Sequence, residues 1–145
     1  MKKFICMGIL VLMAVFSAVP AYAAAEVVQD ARTQGVITPQ YTYISLLNAG
    51  LSINSSGKAN CIGLASAYDA SHTTKLTVEL QKSSASGWST IKSWSASSTG
   101  TYVADVYEDY YVVYGTYRVC ATAKVYNASG TLLENKSAYS DTVTY

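Results

Sequence analysis

After residue 23 the chain contains no phenylalanine and no methionine. Any core must therefore be built from aliphatic residues, tyrosine and tryptophan. There is one histidine, His72. That rules out a His-x-x-x-His metal motif, and Cys-x-x-Cys, Gly-x-Ser-x-Gly and phosphate-loop patterns are also missing. No charge of one sign dominates. Without Lys2 and Lys3 the count is eight basic residues against nine acidic, a net charge of about −1. So near-neutral a balance gives no basis for nucleic-acid or polybasic membrane binding. No cofactor is expected.

What is present begins with a leader. Lys2 and Lys3 precede an apolar run from Phe4 to Val19, closed by Pro20 and the small-x-small triplet Ala21-Tyr22-Ala23. This is the layout of a secretory signal peptide, residues 1–23. Ser17 and Pro20 interrupt the run and it does not recur, so a spanning helix is the weaker reading. Cys6 is too early to be a lipidated cleavage-site cysteine. The expected product is exported, cleaved near Ala23, with no stable membrane anchor afterwards. Its 122 residues suffice for one domain. Residues 24–40 show no clear period and read as a leader or linker.

From Tyr41 to Tyr145 the pattern is β. Thr, Val, Tyr and Ser dominate, and turn residues recur at short intervals. Tyr41–Leu47 and Leu51–Asn54 read as a strand pair joined near Asn48-Ala49-Gly50. Further strands are expected at 58–68, 74–82, 88–95, 101–114, 116–127 and 131–145. Turns fall at Asn54–Gly57, Asp69–His72, Ser83–Gly87 and Asn127–Gly130. Within 74–82, Leu76, Val78 and Leu80 alternate with Lys75, Thr77, Glu79 and Gln81. Seven or eight short strands without a useful amphipathic helix predict an all-β chain, an antiparallel two-sheet sandwich, with a closed barrel as the alternative.

The stretch from Asp105 to Cys120 is rich in tyrosine. Period two assigns Tyr102, Ala104, Val106, Tyr110, Val112 and Tyr114 to the core and sheet rim, with Glu108 at a bend. It assigns Asp105, Tyr107, Asp109 and Tyr111 to a displayed face. Trp88 and Trp94 share strand parity, opposite Ile91, and are expected to pack as core or to form a second exposed patch. The acids Asp105, Glu108 and Asp109 invite a glycosidase reading. However, Asp105 and Asp109 would stand roughly 13 Å apart by strand rise, too wide for either stereochemical outcome. They also lack a loop of oxygen ligands for calcium. His72 reads as a solvated turn residue.

Leu80-Gln81-Lys82, the hairpin at Gly87-Trp88, Ser93-Trp94 and Gly115-Thr116-Tyr117-Arg118-Val119, followed by Glu134 and Ser140, together resemble a family of small secreted proteins of Gram-positive Firmicutes. The resemblance covers most of Tyr41–Tyr145. It implies secretion and a β fold, and it implies no activity. The Gly-x-Tyr-Arg-Val piece is also similar to the penultimate strand of fibronectin III and immunoglobulin-like domains, where the tyrosine packs at a sheet corner.

Two cysteines remain after the leader, Cys61 and Cys120. In an exported chain such a pair defaults to a disulfide. The immunoglobulin spacing is Tyr-x-Cys, whereas here it is Tyr117-x-x-Cys120. If Tyr117, Val119 and Ala121 face the core, Cys120 faces out with Arg118 and Thr122. On the other strand, Ile62 and Leu64 compete with the small row Ala59, Cys61, Gly63 and Ala65 for the inner face. A bridge would need a bulge or adjacent strands, and the alternatives stay open.

The expected function is that of a secreted, non-enzymatic module binding a cell-envelope glycan or surface protein. The alternative is a structural, self-associating protein whose strand edges pair with neighbours.

Overall fold

A computed structural model describes residues 40–145. The expected signal peptide and all of the leader except Gln40 lie outside the described residues. Eight strands follow: β1 (Ile44–Ile53), β2 (Lys58–Ala67), β3 (Thr73–Ser84), β4 (Gly87–Thr99), β5 (Ala104–Tyr111), β6 (Thr116–Tyr126), β7 (Leu132–Tyr139) and β8 (Val143–Thr144). They form two antiparallel sheets, one ordered β1-β2-β5 and the other β4-β3-β6-β7, with β8 also on β6. The chain is thus an antiparallel β-sandwich. Its fourth strand sits beside the third rather than beside the fifth.

Local chemistry places the turns. Asn54 Oδ1 accepts from the N–H groups of Ser56 and Lys58, 3.0 Å each, and Gly57 takes φ 78°. Asn127 repeats the device before β7, its Oδ1 accepting from Thr131 N at 2.8 Å while Gly130 takes φ 81°. An asparagine that bonds its own backbone, followed by a residue able to adopt positive φ, encodes both hairpins. Asp69 does the same work before β3. It accepts the Ser71 N–H at 2.7 Å, and that bond is the main reason its carboxyl lies below the usual range.

The expected break at Asn48-Ala49-Gly50 does not occur. These residues stay in the ladder opposite Leu64, Gly63 and Ile62, so β1 is one strand. Leu47, Ala49, Leu51 and Ile53 keep their alternation through it and pack against the core. Continuity of the apolar period outweighs the weak turn preference of the triplet.

The core joins Leu76, Val78 and Leu80 of β3 to Tyr117, Val119, Ala121, Ala123 and Val125 of β6. Against them lie Ala59, Cys61 and Ala65 of β2. On β2 the small row faces inward, because the sheets approach closely there. A Cβ at Gly63 would overlap Val78 Cγ2, and Leu76 Cδ2 would stand 3.6 Å away. Tyr117 is the largest fully buried side chain. Its hydroxyl donates to Val113 O at 2.6 Å, closing the corner between β5 and β6.

Candidate binding faces

β5 displays the predicted tyrosines. Tyr107 is 59 % and Tyr111 69 % exposed, and Asp105 and Asp109 are exposed beside them. The β2 register sets Ile62 opposite Tyr107, Leu64 opposite Asp105, Asn60 opposite Asp109 and Lys58 opposite Tyr111. Ile62 and Leu64 are half-buried on this same outer face. Asp109 is held from both sides: Lys58 Nζ lies 2.7 Å from Oδ2, and Asn60 Nδ2 donates to Oδ1 at 3.2 Å. The Lys58 bond is the principal cause of a carboxyl held below the usual range, and Asp109 in turn raises the lysine. The face therefore offers two aromatic rings flanking an ionised, oriented carboxylate.

The core half of the tyrosine reading needs correction. Ala104 and Val106 are buried and Tyr110 packs against the core, but Tyr102 and Tyr114 are 79 % and 80 % exposed. The period was extended past the ends of the strand, which runs only from Ala104 to Tyr111. Tyr114 instead stacks on Tyr145, centroids 4.9 Å apart. Glu108 is not at a bend. It lies within β5 opposite Cys61, on the inward parity of an edge strand, where its side chain still reaches solvent.

The tryptophans do not share a face. β4 shifts register against β3 between Leu80 and Gln81, leaving Ile91 unpaired between Thr90 and Lys92. The extra residue inverts the parity of everything before it. Trp94, opposite Val78, turns inward and meets Tyr110 edge-on, centroids 6.5 Å apart. Trp88, opposite Ser83, turns outward, so the expectation that both serve as core fails for Trp88. There Arg118 Cζ lies 4.3 Å from its ring centroid and 4.3 Å from that of Tyr139, while Nε donates to Gln81 Oε1 at 2.9 Å.

Cys61 and Cys120 are both free. Cys61 points into the core from β2, whereas Cys120 points away from it on β6, its Sγ 3.8 Å from Thr122 Oγ1. The sheet β4-β3-β6-β7 separates them, so the candidate disulfide does not form. Cys120 nonetheless is buried, covered by neighbours on β3 and β7. Burial pushes the Cys61 thiol up to about 12. His72 is half-buried rather than solvated, edge-on to Tyr43 with centroids 5.7 Å apart.

One polar contact was not read from the sequence, where Glu134 enters only among the residues of the resemblance. Glu134 of β7 accepts from three successive N–H groups at the entry to β1: Thr42 at 3.2 Å, Tyr43 at 2.7 Å and Ile44 at 3.0 Å. Burial raises its carboxyl, but the three donors outweigh that and hold it below the usual range. Among the described residues, no group of three His, Cys, Asp or Glu side chains is placed to hold a metal ion. No protein-family model and no curated protein matches the chain.

Proposed function

We propose that the protein is an exported, non-enzymatic binding module that engages a cell-envelope glycan through the outer face of β1-β2-β5. The observation that carries this reading is the exposure of Tyr107 and Tyr111 on either side of the fixed Asp109 carboxylate. Exposed aromatic rings supply apolar planes on which a sugar face can stack. Asp109 and Asn60 supply oriented polar partners beside those planes. The neighbouring Ile62 and Leu64 extend the apolar floor.

A glycan array probed with the domain, followed by retention on isolated cell wall, tests the role. Tyr107→Ala and Tyr111→Ala should each abolish most of the retention. Each should cost under about 1 kcal/mol of stability, as for exposed strand positions. Retention unchanged in both variants would remove the binding role. Concentration-dependent growth in size, with no glycan bound, would favour the self-associating protein instead.

A further inference from the structure

Three of the residues that carry the resemblance meet on a patch that the tyrosine face does not use. Gln81, Trp88 and Arg118 come from three separate stretches of sequence. They meet on the outer face of the sheet β4-β3-β6-β7. β4 and β7 lie on opposite sides of β6 in the strand order, so Trp88 and Tyr139 approach the guanidinium from two sides. Nε is taken by Gln81, whose amide is itself anchored, Nε2 donating to Glu79 Oε2 at 3.3 Å. What remains is the outer edge of the fork with its two Nη groups.

We propose that Arg118 is an anion subsite whose Nη edge receives the oxygens of a carboxylate or phosphate group borne by an acidic polymer. Rings over the guanidinium restrict approach to its plane, the direction that suits a two-oxygen acceptor. They also displace water from its faces, which strengthens the attraction at the open edge. The Gln81 bond fixes the side chain beforehand, so little rotamer freedom is lost on binding. The charge cannot be discharged by deprotonation. Among the described residues the ion pair formed is Lys58–Asp109, on the other sheet, and no carboxylate pairs with Arg118.

The same face argues for a polymer rather than a lone ion. Lys75 and Lys124 stand opposite one another on β3 and β6, six residues along β6 from Arg118. By strand rise that separation is roughly 20 Å. Between the two cationic ends lie the hydroxyls of Thr122 and Ser137, 2.8 Å apart. Glu79 is the one acid on the stretch of β3 from Lys75 to Gln81. It stands opposite Cys120, toward the Arg118 end of the face, where its carboxylate accepts from the Gln81 amide.

The test follows the Trp88 indole and Arg118 Nε signals by NMR during titration of the domain. Three probes are compared: polygalacturonate, polyphosphate and inorganic phosphate. Both reporters should shift with at least one polymer, and inorganic phosphate should bind more weakly than the polymers. Arg118→Lys keeps the charge but loses the fork and the stacking, and should weaken polymer binding at least tenfold. Trp88→Leu, which uncovers one side of the guanidinium without changing charge, should weaken it severalfold and carries the test if Arg118→Lys does not fold. Lys75→Gln with Lys124→Gln should lower affinity for the polymers and leave inorganic phosphate unchanged. Polyphosphate offers no sugar face for the tyrosines of the other sheet, so Tyr107→Ala with Tyr111→Ala should leave its shifts of the Trp88 and Arg118 signals unchanged. Reporters that stay still at saturating polymer would overturn the proposal. So would Arg118→Lys, or Trp88→Leu where it stands in, binding as tightly as the native domain.

Discussion

Replacing Glu134 by Gln should destabilise the sandwich at neutral pH by about 2 kcal/mol. The native carboxylate accepts two N–H groups at Oε2, from Tyr43 and Ile44, and one at Oε1, from Thr42. An amide keeps one acceptor oxygen, enough for the pair at Tyr43 and Ile44, and turns an NH2 toward Thr42. Bonds to a charged acceptor contribute about 1.5–3 kcal/mol each, and neutral ones about 0.5–1.5 kcal/mol. Two downgraded bonds account for the estimate. The exposed Thr42 N–H adds little, since water replaces its partner. For a domain of this size the change corresponds to a fall in Tm of roughly 8 °C. The pH dependence identifies the cause. The folded carboxyl lies below its unfolded value, so its contribution is complete above about pH 4.3 and disappears as pH falls through the folded value. Urea unfolding of both proteins at a series of pH values should show a constant gap at neutral pH that closes in acid. A gap that persists undiminished to about pH 2 would show that packing, not charge, is responsible.

Other outcomes follow from single contacts. Tyr117→Phe removes the 2.6 Å bond to Val113 O while keeping the ring, and should cost about 1–1.5 kcal/mol in urea unfolding. Thr74 is fully buried on the inner face of β3 and its Oγ1 has no partner, so Thr74→Val should raise stability by about 1 kcal/mol; a loss would mean that the hydroxyl is satisfied after all. The folded domain should have the mass of the dithiol. Neither Cys61 nor Cys120 should alkylate until denaturant is added, and prompt labelling of either would contradict their burial.

Much of the fold was legible because alternation and turn chemistry agree. The twin asparagine turns and the inward row of β3 fall where residue type alone puts them. The exposure of Tyr107 and Tyr111 followed from the same period. Trp88 was misplaced because a bulge has no composition of its own: Thr90-Ile91-Lys92 looks like ordinary strand, and one unpaired residue reverses the face of all that precede it. Tyr102 and Tyr114 failed for a related reason, since period two says which way a residue points only while the ladder lasts. The Glu134 contact was invisible because it joins parts of the chain that only the folded topology brings together. Arg118 was placed on the right face, but its two aromatic neighbours come from different strands.

The pairing order also governs time. Three hairpins, β1–β2, β3–β4 and β6–β7, join neighbours in sequence and can close early. The pairings that make two sheets of them, β2–β5 and β3–β6, are remote in sequence. Neither is complete before β5 and β6 are available. Chains dominated by such distant pairings fold on a timescale of milliseconds to seconds, far slower than local hairpins close. Until β6 is in place the β3–β4 hairpin lacks the neighbour that widens it into the second sheet, so the apolar rows of β2 and β3 are not yet closed against one another.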